Sequence, residues 1–123
     1  MKKLVYIFIF ASIFFTSCGG FEEIDGGFPK ELTFPKEGGE MNLTGVLYIG
    51  WLHIWNGSGI ENSSVVKEDN TLLVTNLWLT ASAPSRGQEV HLKVEPNTTN
   101  EPRQQYIDIH DGPVYAQILI KQE

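Results

Sequence analysis

From Glu31 to the C-terminus no stretch of the chain keeps a helical period, and this most narrows what it can fold into. Short runs alternate between apolar and polar residues, with Gly, Asn and Pro between them. Val90, Leu92 and Val94 alternate with His91 and Lys93. Successive side chains of a strand point to opposite faces, so such a run buries one face and wets the other. Tyr106 to His110 sets Ile107 and Ile109 against Asp108 and His110. After the turn residues Asp111-Gly112-Pro113, Val114 to Lys121 sends Val114, Ala116, Ile118 and Ile120 inward. Leu32 to Phe34 is a short strand stopped by Pro35. Glu40 to Ile49 is a longer one, with Met41, Leu43, Leu47 and Ile49 on one face and Gly45 as a bulge. Trp51 to Trp55 alternates, Ile60 to Asn70 is a polar excursion, Leu72 to Thr80 is one β-prone run, and Ser82 to Gly87 is loop. About seven to eight strands of this kind predict an all-β chain, an antiparallel β-sandwich of two sheets.

The first residues follow a different logic. Met1-Lys2-Lys3 precedes the apolar run Leu4 to Phe15. That run is shorter than the roughly 20 residues a spanning helix needs, and it fits the apolar region of a secretion signal. Thr16-Ser17-Cys18 at its end resembles a lipobox, with Phe15 where leucine is usual. The resemblance implies a lipoprotein signal peptide over 1–17, cleavage before Cys18, and lipid on that residue. Cys18 is the only cysteine, so no disulfide forms inside the chain and an apolar core must stabilise it. Losing Lys2 and Lys3 and no acid moves the formal charge from −6 to −8. An acidic chain without a basic cluster excludes nucleic acid and anionic lipid as partners. Residues 18–29, rich in Gly and acid, read as the lipidated Cys and a flexible acidic tether. The domain proper is then 30–123. Glu22-Glu23-Asp25 resembles the acid-rich stretches that follow the lipidated Cys of surface-exported lipoproteins in Bacteroidetes. Solubilising charge is the bland alternative.

The order of landmarks in the domain resembles the BACON domain, a Bacteroidetes-associated, immunoglobulin-like β-sandwich. Leu32-Thr33-Phe34-Pro35 with Gly38-Gly39 is similar to its opening strand and double glycine, and Trp78-Leu79-Thr80 to its Trp-Leu-Thr strand. Gly87 precedes the strand Val90 to Val94. Asn97-Thr98-Thr99 with Arg103 resembles its Asn-rich turn before an arginine. Ile107 to His110, Asp111-Gly112 and Ile118 to Gln122 resemble its closing hairpin. Asn56 to Asn70 is longer than the family pattern, and Trp51 with Trp55 stands where one Trp is usual. The resemblance implies a non-catalytic module that binds carbohydrate or mucin glycan, or a spacer inside a larger surface protein complex. It also implies a cell-envelope protein held by Cys18 to the outer membrane. A shared fold carries no site by itself.

No catalytic constellation is present, so the chain is not expected to be an enzyme or to carry a metal or cofactor. His91 and His110 both point to polar faces and approach each other only if their strands pair. Even then a third metal ligand is missing. No serine sits in a nucleophile elbow. The candidate ligand site is Trp51, His53 and Trp55, which period two places on one face of a strand, opposite Leu52 and Ile54. The two indoles are then about 13 Å apart, at ~3.3 Å per residue, and can stack on sugar rings. Immunoglobulin-like folds commonly keep one tryptophan in the core on a central strand, and that placement weighs slightly more than the exposed platform.

Overall fold

The structure, a computed structural model, describes residues 21–123. The signal and Cys18 lie outside the described residues. Eleven strands form, and among the described residues there is no helix. They are β1 (Glu22–Glu23), β2 (Glu31–Phe34), β3 (Gly39–Thr44), β4 (Trp51–Trp55), β5 (Glu61–Ser63), β6 (Val65–Val66), β7 (Thr71–Asn76), β8 (Leu79–Pro84), β9 (Glu89–Val94), β10 (Arg103–Asp111) and β11 (Val114–Gln122). These are more than the about seven to eight expected, because the short exposed strands β1, β5 and β6 carry no alternation to mark them. The first sheet runs β11-β10-β4-β5, with β1 and β2 both on the free side of β11. The second runs β3-β9-β8-β7-β6.

The inward residues of both sheets form one core, the arrangement of a β-sandwich. Leu52 and Ile54 of β4, Ile107 and Ile109 of β10, and Ile118 and Ile120 of β11 meet Leu72, Leu79 and Leu92 of the second sheet. At about 25 cal/mol per Å2, this burial is the main stabilising term in a chain with no disulfide. Trp78 is buried at the margin of the core, with the Arg103 guanidinium 4.7 Å from its ring centre.

Two hairpin turns show how the strands connect. Asp111 pairs with Val114, leaving Gly112-Pro113 as a two-residue turn with Gly112 at φ +61°. Such a turn takes glycine at its first position. Asn76 pairs with Leu79, so Leu77-Trp78 is the second turn, with Leu77 at φ +58°. The expected single run Leu72 to Thr80 is therefore a hairpin. Its turn was hidden because neither turn residue is a usual turn former. Ser82 to Pro84, expected as loop, completes β8.

Three further expectations are corrected. The first sheet is mixed, because β1 and β2 lie parallel to β11. Parallel neighbours need a long crossover, and here nearly the whole domain intervenes. The run Glu40 to Ile49 breaks after Thr44, since β3 is an edge of the second sheet and the chain then crosses to the first. Met41 is exposed in consequence, while Leu47 and Ile49 are buried after the break. The segment 22–29 is folded rather than a flexible tether. β1 pairs with β11, the Ile24 amide donates to the Tyr115 carbonyl at 2.8 Å, and Phe28 is buried in the core. Its glycines and acids suggested a solvated linker, but Ile24 and Phe28 supply the apolar anchors that hold it down. Polar Ile60 to Asn70 likewise contains β5 and β6.

Candidate functional site

On the outer face of the first sheet the strand register sets side chains into three rows. Trp51 of β4 pairs with His110 of β10, which pairs with Tyr115 of β11. Two residues along, His53 pairs with Asp108 and Asp108 with Gln117; two further, Trp55 pairs with Tyr106. A polar row thus lies between two aromatic rows.

The rings stack across strands, as directly paired residues permit. Trp51 lies on His110 with centroids 3.6 Å apart and planes 7° from parallel, and Tyr115 stacks on His110's other side at 5.1 Å. Trp55 stacks on Tyr106 at 4.7 Å. In the polar row Asp108 is buried and accepts hydrogen bonds from Trp55 Nε1 at 3.1 Å and Gln117 Nε2 at 2.8 Å. His53 lies between two carboxylates. Its Nε2 is 2.6 Å from Glu61 Oε1 of β5, and its Nδ1 is 3.5 Å from Asp108 Oδ2.

The structure thus brings the sequence-predicted trio Trp51, His53 and Trp55 together on one face, each half-buried, with Leu52 and Ile54 inward. Neither Trp51 nor Trp55 is the core tryptophan. Neither is a free platform either, because each indole has one face covered by a cross-strand ring. His110, read as solvent-facing, is buried instead. Its flanking rings exclude water from a face that alternation alone marks as polar. His91 is on the outer face of the second sheet, bonded to Asn42 and Glu40, and does not meet His110 because β9 and β10 belong to different sheets. Sequence reasoning missed Asp108, Tyr106, Tyr115 and Glu61. Period two put Asp108 outward, but only the pairing of β10 with β4 joins it to the trio.

Burial lowers the pKa of His110 from the usual imidazole value of 6.5; nearby Asp108 opposes the shift and His53 adds to it. Its Nδ1 is buried without a hydrogen-bond partner. A histidine held neutral by the fold binds fewer protons folded than unfolded, so stability rises with pH up to about 6.5 and is lost as pH falls through the depressed folded value. Melting temperature is expected to fall between pH 7 and pH 5. His110→Phe, which keeps a ring in the stack, should fall less. Equal acid losses in the two proteins would remove this role from His110.

No group of three His, Cys, Asp or Glu side chains able to hold a metal ion occurs among the described residues. A cleft of about 410 Å3 lies at the other end of the first sheet, lined in part by Thr33, Arg103, Lys121 and Gln122. Arg103 already donates there to the Gln122 side chain and to the carbonyls of Glu95 and Pro96. The aromatic and polar face is the better candidate. It offers half-exposed aromatic rings, an imidazole and an exposed carboxylate, Glu61, within one patch.

No family model matches the chain, and no curated protein matches it in sequence. In fold it is similar to a solved structure, the NMR structure of a protein from Bacteroides thetaiotaomicron. The TM-score is 0.52 at 17% identity, over 84% of each chain. At that identity the likeness speaks for the fold alone.

Proposed function

We propose that the protein is a non-catalytic, lipid-anchored module of the cell envelope that binds a glycan across the outer face of the first sheet. The observation that carries the reading is the placement of Trp51 and Trp55 outside the core, with His53 and Glu61 between and beside them. A pyranose has an apolar face and a rim of hydroxyls, and a patch of half-exposed aromatic rings with fixed acceptors suits both. The two-sheet core and the fold likeness support the β-sandwich, and the order of motifs from Leu32 to Gln122 supports its BACON-like, immunoglobulin-like type. The lipobox at Cys18 supports anchoring to the outer membrane.

Trp51→Ala with Trp55→Ala is a blunt test, since the first change uncovers His110 and the second removes a donor to Asp108. Glu61→Gln and His53→Ala are cleaner. Glu61 is exposed, so Glu61→Gln should melt close to wild type, whereas His53→Ala takes a half-buried ring from between two carboxylates and should melt a few degrees lower while staying folded. Retention on a glycan array is expected to fall about tenfold in each, the loss of one hydrogen bond to the sugar. An array on which the wild-type protein retains no glycan sinks the reading.

One observation favours a second reading, a protein-interaction subunit of a surface complex. Val65 and Val66 form edge strand β6 with both side chains exposed, open to pairing with another chain. That reading expects co-purification with a larger assembly and a silent array.

A further inference from the structure

Several connections meet at one end of the sandwich. The Gly112-Pro113 turn joins β10 to β11, the segment after β1 wraps past it, residues 45–50 cross from the second sheet to the first, and the β8–β9 loop bonds to residues 45 and 49. Hydrogen bonds also tie the first three together. The Glu22 amide donates to the Pro113 carbonyl at 2.8 Å, the Tyr48 amide to Asp111 Oδ2 at 3.0 Å, and the Val46 amide to the Gly26 carbonyl at 2.8 Å. This end displays apolar side chains that the core does not use. Phe21 is 61% exposed, Val46 66% and Tyr48 56%. Phe21 sets its ring edge-on against His110, with centroids 5.4 Å apart.

The chain enters the domain at this same end. Because β1 is paired from Glu22 onward, only residues 19–21 separate Cys18 from the folded body. Four residue steps span at most about 14 Å, at ~3.6 Å each. The nine-residue β10 is about twice that length, at ~3.3 Å per residue. A lipid on Cys18 therefore keeps this end near the bilayer, with little room for the domain to tumble. Exposed aromatic and apolar side chains suit the headgroup layer, where one part of the ring is dry and another wet. Glu22, Glu23 and Asp25 flank the end and outnumber the exposed Arg86 of the β8–β9 loop, whose amide bonds the Ile49 carbonyl, so the end as a whole opposes an anionic surface.

We propose that this end, through Phe21, Val46 and Tyr48, rests on a zwitterionic lipid surface, so that the sandwich stands on the membrane instead of floating on a tether. The inference rests on the lipid-anchor reading of Cys18. The aromatic row Trp51-His110-Tyr115 then lies at the membrane-proximal end of the outer face, and Trp55 and Tyr106 lie farther out.

Lipidation uses the only cysteine, so an introduced one is the sole free thiol of the mature protein. Val46→Cys and Tyr48→Cys mark the proximal end. Leu77→Cys and Thr98→Cys mark the distal one, where Arg103 lies over Trp78 and bonds the Pro96 carbonyl. Each variant of the full chain is expressed in a host that lipidates, recovered from membranes, labelled with a fluorophore and placed in phosphatidylcholine vesicles carrying a headgroup-level quencher. The expected result is at least about fivefold stronger lipid quenching at 46 and 48 than at 77 and 98. Replacing half the lipid with phosphatidylglycerol should weaken the proximal quenching. Four labels quenched alike on an anchored protein overturn the contact and leave the anchor standing. Proximal labels shielded from both lipid and aqueous quenchers also overturn it, since a protein or a second copy then covers the end. A chain recovered with a free Cys18 overturns the anchor itself.

Discussion

Gly38→Ala is expected to destabilise the domain by about 3–5 kcal/mol, a fall of roughly 15 °C or more in melting temperature for a domain of this size. Two costs add. Gly38 has φ +84°, a region that strains any side chain, and an added Cβ would stand 2.3 Å from the Val94 carbonyl oxygen and 3.0 Å from the Glu95 carbonyl carbon. Both are main-chain atoms at the end of β9, so neither can yield by a rotamer change. The close approach has a purpose. The Gly38 amide closes a turn onto the Pro35 carbonyl at 3.0 Å, and Gly39 then opens β3 by pairing with Val94. The turn thus carries the chain from the first sheet to the edge of the second. Gly112→Ala is the control. It has φ +61° but nothing within 4 Å of the added Cβ, so only the backbone strain of about 1 kcal/mol remains. Urea unfolding of the two variants measures the difference. Equal losses would show that the contact with Val94 carries no weight.

The double glycine was visible in the sequence, and so were the faces of the best strands. Leu52 and Ile54, Ile107 and Ile109, and Val90, Leu92 and Val94 all point inward as period two requires. Where one side of a strand meets the core and the other does not, as in β9, alternation reports burial directly. It misled where tertiary structure covers the second face. His110 and Asp108 occupy outward positions and are buried all the same, because Trp51, Trp55, Tyr115 and Gln117 close over them. Met41 failed in the opposite sense: its strand is apolar on one face but lies at a sheet edge, with little to pack against. The segment 22–29 failed because composition records what most of its residues prefer, whereas two anchors, Ile24 and Phe28, decide where it lies. Of the candidate site, the strand carrying Trp51, His53 and Trp55 was legible from spacing. Its completion by β10 and β5 was not, because register between strands distant in sequence leaves no local mark.

Gln105 is a second place where period two points inward but chemistry does not follow. It precedes Ile107 and Ile109 on the core face of β10, is fully buried, and takes a position where an aliphatic residue is expected. Its partner is Asn76 at the end of β7, in the other sheet. Asn76 Nδ2 donates to Gln105 Oε1 at 2.7 Å and to the Ile60 carbonyl at 3.1 Å, and Gln105 Nε2 donates back to the Asn76 carbonyl at 2.8 Å. Asn62 Nδ2 completes the set by donating to Asn76 Oδ1 at 3.2 Å. The two sheets are thus joined by a polar pair whose groups are nearly all satisfied. Gln105→Ala should cost about 3 kcal/mol, because it opens a void and strands buried groups of Asn76. Asn76→Ala should cost about 2–3 kcal/mol for the same reason on the other side. The double variant is expected to fall short of the sum by roughly 1–2 kcal/mol, since the second change removes a group already left without its partner. Gln105→Leu separates volume from bonding. It restores most of the packing, and still costs about 2 kcal/mol if hydrogen bonds rather than bulk hold the sheets in register. A Leu variant as stable as wild type, with additive Ala variants, would mean that the pair contributes shape alone.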